Sequence, residues 1–203
     1  MIVVIDYGVG NLQSVGNALD NLKIDYKITN NLKDLSNASH IILPGVGAFG
    51  QAVSHIKKTG FDVAIQSEIK AGKPFLGICL GMQLLLTSSE EMGFNKGLNI
   101  IKGKVKEFPK QTQDKIPQIG WNSIHFKKNN PLFNGILSGD MVYFVHSFYV
   151  EPENKNATGA ITEYAGIKYT SALWSENIFA TQFHPEKSGK TGLKILENFY
   201  KIC

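Results

Sequence analysis

Cys79 stands between two glycines, in Gly77-Ile78-Cys79-Leu80-Gly81, where an apolar run from Phe75 to Ile78 gives way to a helical pattern from Leu80 to Leu86. A sulfur on such a corner is a candidate nucleophile. A strand that turns at once into a helix brings backbone segments so close that flanking side chains would clash. The turn residue's own side chain is lifted out, as in the G-x-S-x-G elbow of serine hydrolases. The start of a helix favours negative charge, which lowers a thiol pKa, and its first N–H groups can receive an oxyanion. A cysteine in an apolar stretch is more often core packing. The flanking glycines weigh for chemistry instead, with the thiol expected to point at solvent.

A thiol nucleophile needs a base, and Thr181-Gln182-Phe183-His184-Pro185-Glu186 offers one with its own orienting carboxylate. On an extended segment, held so by Pro185, residues two apart share a side, which sets Glu186 beside His184. The imidazole would relay a proton between thiol and leaving amine, while the carboxylate fixes its tautomer and stabilises the imidazolium. His40, His55, His125 and His146 have no comparable partner in the sequence. Histidines and cysteines lack the paired spacing of zinc ligands, so neither a metal nor a cofactor is expected.

These residues must be positioned by strands and helices. Ile2 to Ile5 form an apolar run, then Asp6-Tyr7-Gly8-Val9-Gly10-Asn11, then Leu12, Val15, Leu19 and Leu22 at helical spacing: strand, loop, helix. A dinucleotide loop is excluded because its third glycine falls on Gln13. Ile41 to Leu43 form another strand, halted by Pro44 and followed by the loop Gly45-Val46-Gly47, with helical patterns to Lys73. Strands that are apolar throughout imply a mostly parallel central sheet covered by helices on both faces, a three-layer α/β fold. The loops after Ile5, Leu43 and Ile78 then share the edge where such folds place their sites. Beyond Gly93, alternating segments around Gly103 to Phe108, Met141 to Val145, Tyr169 to Trp174 and Ile178 to Phe183 predict an antiparallel extension. From Ser188, an expected N-cap, a closing helix presents Ile195, Leu196, Phe199 and Ile202 on one face.

The 203 residues suit one domain, and a composition 43% hydrophobic and 19% charged is that of a globular protein. Met1 opens directly into a strand-like run, and no apolar stretch reaches membrane-spanning length, so a cytoplasmic protein without membrane contact is expected. The two cysteines, Cys79 and Cys203, are not expected to form a structural disulfide. The net charge of +4 is spread through isolated lysines and pairs such as Lys57-Lys58 and Lys127-Lys128 without interleaved aromatics, so no nucleic-acid partner is expected.

Taken together, Gly77-Ile78-Cys79-Leu80-Gly81 and His184-Pro185-Glu186 resemble the class I, triad-type glutamine amidotransferases, along the whole chain. Within that class, Asp6 to Leu12, Pro44 to Gly47, Gly120-Trp121-Asn122 and Tyr143-Phe144-Val145-His146-Ser147 resemble the glutaminase subunits of imidazole glycerol phosphate synthase. The resemblance implies a flavodoxin-like fold and one amidotransferase domain over residues 1–203. It implies hydrolysis of L-glutamine by Cys79, His184 and Glu186, with ammonia channelled to a (β/α)₈ cyclase subunit that makes imidazole glycerol phosphate and AICAR for histidine synthesis. It further implies an oxyanion hole from Leu80 and the Val46 or Gly47 N–H, after reorientation of that loop. Gln83 and Glu91 would hold the substrate's α-amino acid end, and Trp121, Asn122 and Tyr143 would lie near the partner interface. Gln118 departs from the pattern, standing where the family often carries histidine. A stand-alone thiol hydrolase and a paralogous glutaminase feeding another amidotransferase are the competing readings.

Overall fold

The computed structural model describes residues 1–126 and 129–202. The Lys127-Lys128 pair and Cys203 lie outside the described residues. The first half alternates β1 (Ile2–Ile5), α1 (Leu12–Asn21), β2 (Tyr26–Thr29), α2 (Lys33–Asn37), β3 (His40–Gly45), α3 (Phe49–Thr59), α4 (Phe61–Lys70), β4 (Phe75–Cys79) and α5 (Leu80–Leu84). The second half is mostly strand: β5 (Ser88–Ser89), β6 (Asn95–Lys96), β7 (Gly103–Glu107), β8 (Gln118–Ser123), β9 (Met141–His146), β10 (Phe148–Pro152), β11 (Thr158–Tyr164), β12 (Ile167–Ser175) and β13 (Ile178–Thr181), closed by α6 (Gly189–Tyr200).

The strands β2, β1, β3, β4 and β13 run parallel in that spatial order; β12, β10, β7, β5 and β6 continue the sheet, and β11 pairs with β12. Each parallel strand is apolar throughout because alternate side chains enter different layers. Val3, Ile5, Ile41, Leu43, Phe75 and Ala180 pack with Leu35 of α2, Phe49 and Ile56 of α3, Ile65 of α4 and Met82 of α5. Ile2, Val4, Ile42, Leu76, Ile78 and Phe179 pack on the other face with Val15 and Leu19 of α1 and Ile195, Leu196 and Phe199 of α6. The fold is therefore the expected three-layer α/β arrangement with an antiparallel extension.

Several local expectations are corrected. Pro44 does not halt β3, which runs on to Gly45, with Pro44 opposite Ile78 and Gly45 opposite Cys79. The segment Ile178 to Phe183 is not simply antiparallel: β13 is parallel to β4 on one side and antiparallel to β12 on the other. It is the seam between the two sheet regimes. Strands β8 and β9 form a separate two-stranded sheet. Ser188 occupies the N-cap position of α6 without capping it, because its hydroxyl donates to the His184 carbonyl and accepts from the Tyr143 N–H. Among the described residues no helix is long and apolar enough to cross a membrane.

Candidate active site

The corner after β4 is held in an unusual backbone conformation. Cys79 has φ 54° and ψ −108°, outside the regions an L-residue adopts without strain, and such outliers concentrate where function requires them. Gly77 and Gly81 permit the corner sterically. A Cβ on Gly81 would lie 1.9 Å from the Leu43 carbonyl oxygen, and one on Gly77 would lie 2.8 Å from the Gly81 carbonyl oxygen. The helix that follows is shorter than expected, ending at Leu84, and all five of its residues are buried. Five residues make at most a fraction of a macrodipole.

The thiol does not project freely into solvent: Cys79 is 7% exposed. Its Sγ lies 3.9 Å from the Val145 carbonyl and 3.8 Å from Gln182 Nε2. One side of it opens on a cavity of about 260 Å³ shared with Val46, Gly47, Leu80, Gln83, Glu91 and His184, and roofed by Val145 to Phe148. Thus the expected nucleophile, base, oxyanion donors and substrate-holding residues all reach one space, with Glu186 behind the histidine. A larger hollow of about 590 Å³ against β11 and β12 contains neither Cys79 nor His184, and its size alone gives it no chemistry.

His184 and Glu186 meet by a different route from the one expected. Pro185 begins a single 3₁₀ turn, Pro185–Lys187, instead of continuing the extended chain. That turn brings Glu186 Oε1 to 2.7 Å from His184 Nδ1, with both side chains only 2% exposed. The backbone of His184 is pinned as well: its N–H donates to the Tyr143 carbonyl, and its carbonyl accepts from Ser188 Oγ. Nε2 is buried without a hydrogen-bond partner in the described structure. Burial alone would depress the imidazole, but its interactions with the Cys79 sulfur and then with the Glu186 carboxylate overcome it and push His184 up to about 10. The histidine is therefore an imidazolium at neutral pH, set between the Cys79 sulfur and the Glu186 carboxylate.

Gln83 is buried and its Nε2 donates to both the Phe148 carbonyl and Gln182 Oε1, leaving Oε1 as the end it can offer a ligand. Glu91 Oε2 accepts from the Phe49 N–H at the start of α3, where no other side chain caps the helix. Val46 and Gly47 are exposed and lie just past the end of β3, with Gly47 at φ 91°. Trp121, Asn122 and Tyr143 do not line the cavity. Trp121 is 53% exposed on β8 and packs edge-on against Tyr143 of β9, with ring centroids 6.1 Å apart; Asn122 Nδ2 donates to the Glu163 carbonyl.

Sequence reasoning missed Gln182, His146 and Phe148 as parts of the site. Gln182 is fully buried and bridges Cys79 and Gln83. Its polarity inside an apolar strand end was the available signal. His146 is pushed down to about 4, first by burial and also by the nearby His184, against the opposing effect of the Phe148 carbonyl. It is therefore neutral at neutral pH, with Nδ1 donating to Phe148. Gln118 finds its use here too: its Oε1 accepts from the Tyr169 hydroxyl, which also stands 3.3 Å from His146 Nε2. Among the described residues no three His, Cys, Asp or Glu side chains cluster as metal ligands.

Residues 3–203 match the family model described as "Glutamine amidotransferase class-I". The chain is 53% identical over 199 residues to "Imidazole glycerol phosphate synthase subunit HisH" of Caldanaerobacter subterraneus subsp. tengcongensis, covering 98% of this chain and 97% of the relative. It is 48% identical over 202 residues to the protein of the same description from Chlorobium chlorochromatii, covering both completely. Among solved structures, "Structure of PurLQS from Thermotoga maritima" superposes with a TM-score of 0.75 at 19% identity, covering 98% of this chain and 97% of that one. That likeness concerns the fold.

Proposed function

Since the chain belongs to the class I glutamine amidotransferase family, we propose that it is the glutaminase subunit of an imidazole glycerol phosphate synthase. Residues 1–203 would form one amidotransferase domain, acting in the cytoplasm with a cyclase subunit. The observation that carries this reading is the full-length similarity to such subunits, joined to a single cavity that receives Cys79 and His184. The ammonia released would pass to the cyclase, which forms imidazole glycerol phosphate and AICAR in histidine biosynthesis.

In the proposed reaction the Cys79 thiolate attacks the side-chain amide carbon of L-glutamine, and the carbonyl π electrons move onto oxygen. Val46 or Gly47 and Leu80 would donate N–H groups to that oxyanion. His184, charged at neutral pH, gives its Nε2 proton to the departing nitrogen as the C–N bond breaks, leaving a glutamyl thioester and ammonia. Now neutral, it takes a proton from water, whose oxygen attacks the thioester carbon; glutamate leaves and the sulfur regains its charge. Glu186 holds Nδ1–H throughout and stabilises each imidazolium. Glu91 and the free Oε1 of Gln83 would receive the α-ammonium of the substrate. Trp121, Asn122 and Tyr143 would lie towards the cyclase, an assignment supported by the exposure of Trp121.

The test is glutamine hydrolysis by the purified chain, alone and with a cyclase subunit carrying its nucleotide substrate, with Cys79→Ser as the chemical blank. Feeble hydrolysis alone, raised by the charged cyclase, is expected. Full activity without any partner would instead identify a stand-alone hydrolase, and stimulation by a different acceptor enzyme only would identify a paralogous glutaminase.

A further inference from the structure

The hydroxyl of Tyr7 is buried and has no hydrogen-bond partner in the described structure. A buried hydroxyl left unpaired is destabilising, and phenylalanine would fill the same volume without that penalty. The residue follows β1, which flanks β3 on the side away from β4, and its hydroxyl comes close to Gly45 at the end of β3. A Cβ built on Gly45 would lie 2.6 Å from Tyr7 Oη, 3.0 Å from Leu80 Cβ and 3.1 Å from Gly81 N. Glycine at 45 therefore leaves the space in which this hydroxyl sits, between the last residue of β3 and the corner that carries Cys79.

The peptide joining Gly45 to Val46 is where the regular strand stops. Because a trans peptide is planar, its N–H and C=O point in opposite directions. Turning the Val46 N–H toward the cavity must turn the Gly45 carbonyl away from it, into the protein, where an unpaired carbonyl would be costly. Resting on the reading that this segment supplies an oxyanion donor, we propose that Tyr7 is a positioning residue whose O–H receives the Gly45 carbonyl when the Val46 N–H faces the substrate. The orphan hydroxyl is then a donor held in reserve for the competent arrangement. Burial, and after it the electrostatic influence of the neighbouring Cys79, push the ionisation of Tyr7 far upward, so the phenol stays a neutral donor.

The experiment compares the native chain with Tyr7→Phe, each assembled with a cyclase subunit carrying its nucleotide substrate. It measures kcat and KM for glutamine, the melting temperature, and the rate of Cys79 alkylation by iodoacetamide. Loss of one positioning hydrogen bond should lower kcat about tenfold with KM within about twofold. The melting temperature should be unchanged or higher, because no hydrogen bond of the resting protein is lost, and alkylation should proceed at the native rate. An unchanged kcat would overturn the proposal, as would a kcat and an alkylation rate that fall together, or a lower melting temperature accounting for the lost activity. A native chain that hydrolyses no glutamine in the assembly would instead overturn the glutaminase reading on which this one stands.

Discussion

Gly81→Ala isolates the steric demand of the corner that carries Cys79. By intrinsic propensity the change should help, since alanine in a helix is favoured over glycine by about 1 kcal/mol. The added methyl, however, would lie 1.9 Å from the Leu43 carbonyl oxygen, whereas ordinary contact begins near 3.4 Å, so β3 and α5 must part by about 1.5 Å. Backbone cannot give way as a flexible side chain does, and overpacking of this kind costs on the order of 3 kcal/mol. For a domain of this size that corresponds to a melting temperature lower by roughly 6–12 °C. Parting the two elements also moves Val46 and Gly47 from Cys79, so glutamine hydrolysis should fall by more than the unfolded fraction explains. Gly72→Ala is the comparison: Gly72 has φ 86° with nothing within 4 Å of its Cβ position, so only left-handed strain of about 1–2 kcal/mol applies. It should retain full activity. Thermal melts and glutaminase rates of both variants check this; a Gly81→Ala protein melting within 2 °C of native with native kcat would refute the account of the corner.

Glu186→Gln weakens one of the two partners, Cys79 and Glu186, that hold His184 at about 10 against its burial, so the alkaline limb of kcat/KM should move from near pH 10 toward neutrality, with the rate near pH 7 down by roughly ten- to a hundredfold. The same upward shift stabilises the fold below the ordinary histidine value of 6.5, and that contribution is lost as pH rises through about 10, which denaturant midpoints at pH 7 and 10 would show. His146 has the opposite sign: held neutral down to about 4, it binds a proton more readily unfolded, so stability should decline as pH falls from 6.5 to 4, by about 3 kcal/mol in all. Urea midpoints should follow that decline in the native chain and flatten in His146→Gln. Trp121→Ala should weaken cyclase binding by about 2 kcal/mol, about thirtyfold in Kd, while leaving alkylation of Cys79 at the native rate; titration of glutaminase activity with cyclase reads the first and iodoacetamide the second.

The parallel half of the fold was legible because its strands are buried on both faces, and burial on both faces selects continuous apolar runs such as Ile2–Ile5 and Phe75–Ile78. Glycine spacing located the corner at Cys79 for a steric reason that the Leu43 carbonyl now makes concrete. The pairing of His184 with Glu186 was also foreseen, although through extended alternation where the chain makes a 3₁₀ turn. Both geometries bring residues two apart into reach, and Pro185 is compatible with either. What escaped was long-range. Pro44 looked like a strand end because proline removes an amide donor, yet β3 keeps its register with β4 through Gly45. Gln182 showed only its polarity, since the sulfur it meets is 103 residues away and reaches it only after β13 joins β4. His146 gave less, because the burial that chiefly depresses it, and the His184 charge that adds to this, arise only once distant parts of the chain pack together.

Nearly every group assigned to the proposed reaction is tied down by the backbone around it. Register fixes Cys79 against Gly45, the Tyr143 carbonyl and Ser188 fix His184, and the Gln83 amide is spent on Phe148 and Gln182. Such groups cannot be switched without breaking several hydrogen bonds at once. Val46 and Gly47 differ: they lie past the strand, are exposed, and include a residue at φ 91°. Their rearrangement leaves the packed layers undisturbed and can be biased by a modest differential contact with a partner. If the cyclase controls glutamine hydrolysis, these two residues are the place where a few kcal/mol of interface energy can alter transition-state stabilisation while substrate affinity stays nearly constant. Control should therefore act on kcat, and a stimulation expressed mainly in KM would point instead to Gln83 and Glu91.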